Sequence, residues 1–142
     1  MRLVDLNILL YAVNADSPRH EPARKWLEQT IGGTETVALP WVVLLGFVRL
    51  VTNRRVFASP LSTEDALALV DGWLARPNVL PLVPGPGHWR LLRALLADSG
   101  AAGNLTTDAH LAALAIEHGC ELCSTDADFA RFAQLKWINP IG

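Results

Sequence analysis

Acidic residues follow the apolar segments of this sequence at positions where a parallel sheet would bring them together. Asp5 ends the first apolar segment, and Asp126 and Asp128 come directly after a later one, Glu-Leu-Cys-Ser. Asp108 stands near the start of a helical segment, behind the polar turn Asn104-Leu-Thr-Thr. The carboxyl ends of parallel strands meet at one edge of a sheet. The spacing therefore predicts that carboxylates from three separate segments share one site.

A cluster of this kind has a specific chemistry. Carboxylates held close together repel one another, so the cluster is costly unless it is protonated or bound to a cation. A ligand set made only of oxygen suits Mg²⁺ or Mn²⁺ better than zinc. Taken singly, each Asp has a structural explanation, because Asp is common as a helix N-cap and in turns. The combination is what predicts a metal site.

The elements that would position these acids are short apolar segments alternating with segments of helical period. Strands are predicted at 2–5, 36–39, 79–83 and 121–124, with an edge strand at 136–138. Helices are predicted at 8–13, from Ser17-Pro18 to 31, from 40 to about 52, from 63 to before Pro77, around 89–96 with a break at 100–103, and at 107–118. Strands separated by helices predict an α/β fold of three layers, α/β/α, around a mostly parallel sheet of four to five strands.

Composition narrows the class of protein. The chain has 142 residues, of which 51% are hydrophobic and 18% charged, so we expect a single folded domain over 1–142. Twelve basic and fourteen acidic side chains give a net charge of −2, which argues against a protein that binds nucleic acid by charge alone. No apolar run approaches the roughly 20 residues that span a bilayer. The first residues lack the apolar core of a signal peptide, so we expect a cytoplasmic protein with no membrane partner.

Three motifs together resemble those of a known family. They are Asp5-Leu-Asn7-Ile-Leu-Leu-Tyr11, Thr107-Asp108-Ala-His-Leu-Ala-Ala-Leu-Ala115 and Ser124-Thr-Asp126-Ala-Asp128-Phe129. In this order and spacing they resemble the PIN-domain ribonucleases, and more narrowly the VapC toxins of bacterial VapBC toxin–antitoxin modules. The segment from Pro40 to Asn53 resembles the mycobacterial-type branch of that family. The resemblance covers nearly the whole chain.

The resemblance implies a function and a set of ligands. It implies a homodimeric toxin that cleaves RNA with bound Mg²⁺ or Mn²⁺ and is inhibited by a cognate VapB-type antitoxin. Asp5, Asp108 and Asp126 match three of the four acidic residues of the family site. The fourth, a Glu, falls at or next to Gly46, which offers no ligand, so we expect weaker metal binding unless Asp128 or water takes its place.

Several polar residues near these acids are candidates to support them. Asp128 is expected to cap the following short helix or to assist Asp126 from outside the metal's own ligand set. Asn7 is expected either to orient Asp5 or to cap the first helix. Hydroxyl groups close to the acids either orient the carboxylates or serve only as helix caps and turn formers. The hydroxyl residues in question are Thr107, Ser124 and Thr125.

Basic residues that could contact RNA phosphate form a second group of candidates. Arg49 lies one turn after Gly46 in the predicted helix, and Arg54 and Arg55 follow the end of that helix. The simpler explanation for Arg49 is a surface ion pair, and for the basic pair a solvated helix end. The sequence leaves both explanations open.

Two other functions compete with a metal-dependent ribonuclease. A catalytically weak or inactive PIN-like module that binds RNA would explain the missing Glu at Gly46, although the retained acids oppose it. A phosphatase of the haloacid dehalogenase type would use Asp5 as its nucleophile. That chemistry needs a second Asp two residues later, where this sequence has Asn7.

Overall fold

A parallel sheet of five short strands forms the centre of the molecule, with strand order β3-β2-β1-β4-β5. The computed structural model describes residues 1–100 and 103–142. The strands are β1 (Arg2–Val4), β2 (Val37–Ala38), β3 (Val79–Leu80), β4 (Glu121–Cys123) and β5 (Trp137–Ile138). The helices of the described residues are α1 (Leu6–Val13), α2 (His20–Ile31), α3 (Trp41–Val51), α4 (Thr63–Leu74), α5 (His88–Ser99) and α6 (Thr106–His118). Short 3₁₀ turns cover Gly103–Leu105 and Ala127–Arg131.

The strand order determines which helices share a face of the sheet. The connections β1 to β2 and β2 to β3 advance in one direction, and the connection β3 to β4 returns past β1 to its other side. Because parallel crossovers are right-handed, α1 to α4 cover one face, and α5 and α6 cover the other. The helix contacts agree with this, since α1 packs on α2 and α3, α3 packs on α4, and α5 packs on α6. The predicted three-layer α/β/α fold is confirmed.

The order of the strands reverses between β1 and β4, which are neighbours in the sheet. In open parallel sheets such a reversal leaves a crevice at the carboxyl ends of the two strands, where ligands bind. The chain leaves β1 at Asp5 and leaves β4 at Ser124. The fold therefore places the first and last acidic motifs of the sequence at the same crevice.

Most predicted elements are present, and the differences in their ends have local causes. The helix predicted from Ser17-Pro18 begins at His20, because Ser17 forms a turn in which its Oγ accepts from Arg19 N and its carbonyl accepts from His20 N. The first helix begins at Leu6 rather than at residue 8, because Asp5 caps it. The predicted break at 100–103 includes residues 101–102, which lie outside the described residues. No helix in the described part of the chain has the length and apolar character needed to cross a membrane.

Hydrophobic burial is densest around β1 and the helices that flank it. Leu3 and Val4 of β1 are fully buried, as is Phe47 of α3, which stacks edge to face on Trp73 of α4 with ring centroids 4.9 Å apart. A parallel strand covered on both faces by helices needs apolar side chains on both sides, which explains the unalternating Leu-Val sequence of β1. This core holds β1 in place, and with it the edge of the sheet at which Asp5 lies.

A half-buried polar network joins α5 to α6, the helix that carries Asp108. Glu117 Oε1 lies 3.2 Å from His88 Nδ1, and Glu117 Oε2 accepts from the backbone N–H of Gly85 at 3.0 Å. On its other side, His88 Nε2 lies 2.9 Å from His110 Nδ1. The side chains of His88 and Glu117 are only 11% and 15% exposed, so water cannot easily replace these bonds. The network fixes α6 against the opposite helix of its layer.

Replacing Glu117 by Ala is expected to lower the free energy of unfolding by about 1–3 kcal/mol, because the half-buried His88 and the Gly85 N–H lose their acceptor. Chemical denaturation followed by circular dichroism measures this loss. The matched control is Glu64→Ala, at an exposed position in the first turn of α4. The control is expected to change stability by about 0.5 kcal/mol or less. Equal effects of the two substitutions would show that the network does not stabilise the α5–α6 layer.

Candidate metal centre

Asp5 stands at the junction between β1 and α1, where it is 8% exposed. Its Oδ1 accepts a hydrogen bond from Leu6 N at 2.7 Å, which makes it the N-cap of α1. Its Oδ2 accepts from Ser124 Oγ at 2.7 Å. Both carboxylate oxygens therefore have a defined direction, and the side chain is held on the crevice between β1 and β4.

Ser124 connects the two ends of the chain at this crevice. Its buried hydroxyl donates to Asp5 and accepts from Asn7 Nδ2 at 3.2 Å and from the backbone N–H of Asp126 at 3.0 Å. Its carbonyl accepts from the indole Nε1 of Trp137 at 3.0 Å. One hydroxyl group thus sets the positions of Asp5 and Asp126 relative to each other.

Three further carboxylates converge beside Asp5. Asp108, on the first turn of α6, and Asp126 and Asp128, after β4, offer carboxylate oxygens that all lie within 4.8 Å of one another. Asp108 and Asp126 are half-buried, and Asp128 is exposed. The cap of the 3₁₀ turn after β4 is Asp126, whose Oδ1 accepts from Asp128 N at 2.9 Å. The expectation that Asp128 is the cap is wrong, because its own N–H is the group being capped.

The electrostatics of the site reflect this crowding. Burial raises the pKa of Asp5, an effect opposed by the hydrogen bonds from Ser124 and Leu6 and reinforced by the charge of Asp126. Burial raises the pKa of Asp108 to about 6, and the negative charges of Asp5, Asp126 and Asp128 add to this rise. The mutual effects place all four carboxylates in one electrostatic site. A divalent cation would remove the repulsion that these shifts express.

The donor set of this cluster has the chemistry that a divalent cation prefers. All four acidic side chains offer oxygen, which suits Mg²⁺ or Mn²⁺. Asn7 adds a second observation, because its Oδ1 is buried and has no hydrogen-bond donor among the described residues. A buried acceptor without a partner is uncommon in folded proteins and calls for a cation or an ordered water nearby. The residues present therefore fit such an ion.

The other residues predicted to support the acids differ in whether they contact the carboxylates of the site. Asn7 is inside α1 and does not cap it, and its side chain reaches Asp5 only through Ser124. Thr107 is exposed and Thr125 is half-buried. Among the described residues, neither threonine hydroxyl bonds to a carboxylate of the site. Ser124, two residues before Asp126, is the hydroxyl that does.

The basic residues near the acids are not the ones that the sequence suggested. Arg49, Arg54 and Arg55 are exposed, and none of them pairs with an acidic side chain within the described residues. Arg131 closes the 3₁₀ turn after β4, and its Nη2 lies 3.7 Å from Asp128 Oδ1. Its positive charge opposes part of the rise in the pKa of Asp108. The only signal for it in the sequence was its spacing, one helical turn after Asp128.

Gly46 lies buried in α3, directly against the residue that follows Asp5. A Cβ at position 46 would approach Leu6 Cδ2 to 2.8 Å, which is closer than a van der Waals contact. The Leu6 side chain therefore occupies the space that a longer side chain at position 46 would need. That an acidic side chain at position 46 would reach the metal site stays a prediction, since the group found there is the apolar end of Leu6.

Comparison with known proteins decides the family. The PIN domain family matches residues 2–135. The ribonuclease VapC33 of Mycobacterium tuberculosis is 46% identical over 141 residues, which cover 99% of each chain. The ribonuclease VapC37 of the same organism is 44% identical over 140 residues, covering 99% of this chain and 97% of VapC37. The chain is a PIN-domain protein of the VapC ribonuclease family.

Solved structures agree with this fold. A VapBC2 complex of Rickettsia felis, bound to a DNA fragment from its promoter, contains a chain that aligns with a TM-score of 0.69 at 20% identity and with 97% coverage of both chains. VapC20 of Mycobacterium tuberculosis, described as a toxin that cleaves the sarcin–ricin loop, aligns with a TM-score of 0.66 at 17% identity, covering 96% of this chain and 99% of VapC20. At these identities, the likeness establishes the PIN fold.

The raised pKa of Asp108 predicts a pH-dependent stability of the metal-free PIN domain. Because the pKa of about 6 lies above the ordinary value of 3.8, the folded state keeps the Asp108 proton to higher pH than the unfolded chain, and its stability falls as pH rises from about 3.8 to about 6. In the presence of a chelator, Asp108→Asn is therefore expected to raise the melting temperature by a few degrees at pH 8 and by about half as much at pH 5.

Differential scanning calorimetry at the two pH values measures this difference. The matched control is Asp71→Asn, at an exposed position on α4, which should give the same small change at both pH values. A stabilisation by Asp108→Asn that does not depend on pH would contradict the electrostatic explanation.

Proposed function

We propose that this chain is the toxin of a toxin–antitoxin module, a metal-dependent endoribonuclease with Mg²⁺ or Mn²⁺ as its cofactor. The observation that carries the proposal is the convergence of Asp108, Asp126 and Asp128 within 4.8 Å, beside the buried Asp5, at the crevice where the strand order reverses. Relatives that are 44–46% identical over the whole chain are named ribonucleases. The acids and the family point to the same reaction class.

Asp5, Asp108 and Asp126 are the residues that would hold the cation, with Asp128 at the exposed side of the cluster. A bound divalent cation supplies Lewis-acid stabilisation for the negative charge that develops on a scissile phosphate. The chain's part is to present the carboxylates already oriented, so that little reorganisation is needed when substrate arrives. Ser124 and the N–H of Leu6 do this for Asp5, and the N–H of Asp128 does it for Asp126.

Metal dependence also follows from the charge of the site. The chain carries a net charge of −2, and the crevice presents four carboxylates. An RNA phosphate would be repelled by this cluster in the absence of a cation. A divalent ion reverses the sign of the local field, so that the same residues that exclude phosphate without metal admit it with metal.

The competing functions fit the site less well. A haloacid dehalogenase-type phosphatase needs a second acid two residues after its nucleophile, and that position holds Asn7, whose amide bonds to Ser124. The family comparisons do not favour this reaction. An inactive RNA-binding module would have the same fold and belong to the same family but would not cleave RNA. The cleavage assay of the wild-type chain described below therefore distinguishes it from the ribonuclease.

The proposed partners are an RNA substrate, a cognate VapB-type antitoxin and a second copy of this chain. The structural neighbours support an antitoxin, because they include VapBC complexes from Rickettsia felis and Haemophilus influenzae. Trp41 and Leu45, 47% and 66% exposed on one face of α3, are apolar side chains available for a protein interface. We place the single PIN domain, residues 1–142, in the cytoplasm, where its RNA substrates are.

Asp5→Asn, Asp108→Asn and Asp126→Asn are each expected to reduce RNA cleavage more than the roughly 10–100-fold that is typical of losing a supporting residue. Asn preserves the shape but removes the charge that binds the cation. Asp128→Asn should lose less, because Asp128 is exposed and caps nothing. The measurements are cleavage of labelled RNA with added Mn²⁺ and calorimetric titration with Mn²⁺.

Asp71→Asn on α4 is the control for a surface carboxylate outside the crevice. Wild-type protein that binds Mn²⁺ and RNA but does not cleave would indicate the inactive binding module. Full activity of Asp126→Asn with loss of activity in Asp128→Asn would assign the ligand to Asp128 instead.

Gly46 allows the missing acidic ligand to be restored. Gly46→Glu alone is expected to change Mn²⁺ affinity little, because Leu6 occupies the space that the new side chain needs. The double variant Leu6→Ala/Gly46→Glu makes room and is expected to bind Mn²⁺ about ten-fold more tightly than Leu6→Ala alone, because it adds one more carboxylate ligand, and a ten-fold change corresponds to roughly 1.4 kcal/mol. Equal affinities of the double variant and Leu6→Ala would show that position 46 does not face the metal.

A further inference from the structure

A groove of about 300 Å³ lies between the second half of α5 and the chain that follows β4, next to the acidic crevice. Its apolar side is formed by Leu91, the buried Leu95 and the buried Phe132. Its rim carries the polar side chains of Asp98, Ser99, Arg131 and Gln134. The volume is at the lower end of the range for small-ligand sites, so it suits one nucleotide rather than a long polymer.

Arg131 links this groove to the acidic crevice. It lines the groove, and its Nη2 is 3.7 Å from Asp128 Oδ1, one of the clustered carboxylates. Its Nε donates to the Asp128 carbonyl at 3.3 Å, which orients the guanidinium along the 3₁₀ turn. Among the described residues, its Nη1 and Nη2 atoms donate no hydrogen bond within normal distance. The positively charged guanidinium of Arg131 is thus held between the groove and the crevice, with N–H donors available for a phosphate.

The chain connectivity supports the same placement. α5 ends at Ser99 and α6 begins at Thr106, so the last turn of α5 lies near the first turn of α6, which carries Asp108. The polar rim residues Asp98 and Ser99 belong to that last turn. The groove therefore opens beside the acids and not at a remote part of the surface.

We propose that this groove binds the nucleobase next to the scissile phosphate, while Arg131 at its mouth binds the phosphate that joins that nucleotide to the cleavage site. An apolar floor with a polar rim matches a base, which has apolar faces and polar edges. The carboxylate of Asp98 accepts hydrogen bonds, so it favours base edges that present N–H donors. This assignment rests on the proposed ribonuclease function and adds a determinant of cleavage-site preference to it.

Another groove of about 250 Å³, between α2 and α4, also includes an arginine, Arg76, and an apolar wall. No cluster of carboxylates within the described residues adjoins it. Both grooves place an arginine beside an apolar wall, and of these two only the first adjoins the proposed site of cleavage. Arg76 is therefore a matched control for Arg131.

The first experiment detects nucleotide binding without relying on cleavage. The full chain, labelled with ¹⁵N, is titrated with each of the four nucleoside 5′-monophosphates, and amide shifts are followed by NMR. Shifts are expected at Ala94, Ser99 and Ala133, with different affinities for the four bases. Ala94→Trp fills the groove at an exposed position and should abolish them, whereas Ala97→Trp, exposed on the same helix but outside the groove, should not.

The second experiment measures cleavage of a randomised single-stranded RNA pool with Mn²⁺, with fragment ends mapped by sequencing. Arg131→Ala is expected to lower kcat/KM about ten-fold, as the loss of one charge-assisted phosphate contact would, and Arg131→Lys should recover part of it. Arg76→Ala should leave the rate unchanged. Ala94→Trp and Asp98→Asn are expected to alter the base preference at one position beside the cut.

The two experiments separate the groove from the proposed function. If the wild-type chain cleaves RNA but Ala94→Trp changes neither rate nor base preference, the groove assignment is overturned and the ribonuclease stands. If the wild-type chain cleaves no RNA while the nucleotide shifts occur in the groove, the ribonuclease fails and the nucleotide site stands. Absence of groove shifts with all four nucleotides overturns the assignment in either case.

Discussion

Three carboxylates converge beside the buried Asp5 at the carboxyl edge of the sheet, and the surrounding structure holds them there against their mutual repulsion. The raised pKa values of Asp5 and Asp108 show the cost of this arrangement, to which burial and neighbouring charge both contribute. Like charges are not assembled by attraction to each other, so other interactions must place them. Burial of β1 and β4, the Ser124 hydroxyl and the α5–α6 network are those interactions.

Ser124 has the largest share in this support. It is fully buried, and a single oxygen atom bonds to Asp5, Asn7 and the backbone of Asp126. Two acids that are far apart in the chain thereby acquire a defined separation. The indole of Trp137 bonds to the Ser124 carbonyl, so the last strand of the sheet also contributes to the site. These hydrogen bonds orient the carboxylates of Asp5 and Asp126 before any cation arrives.

The crevice and its surroundings place negative and positive charge side by side. The acidic cluster suits a divalent cation, and Arg131 provides the fixed positive charge beside it. In the proposed nuclease, a chain with a net charge of −2 would need no extended basic surface to bind RNA, because a bound cation and Arg131 would supply positive charge at the phosphate. Leu6 fills the space beside Gly46 with apolar contact.

The sequence by itself determined the fold class and the acidic motifs. Short apolar segments alternating with helical segments indicate a mostly parallel sheet covered by helices, and an Asp directly after such a strand lies at its carboxyl edge. Tertiary structure alone decided which neighbours these acids have. Ser124 and Asp5 are 119 positions apart, and no local pattern predicts that their side chains meet. The cap of the turn after β4 likewise depended on backbone direction, which assigned it to Asp126 rather than Asp128. Local periodicity encodes the elements, whereas contacts between distant segments depend on how those elements pack.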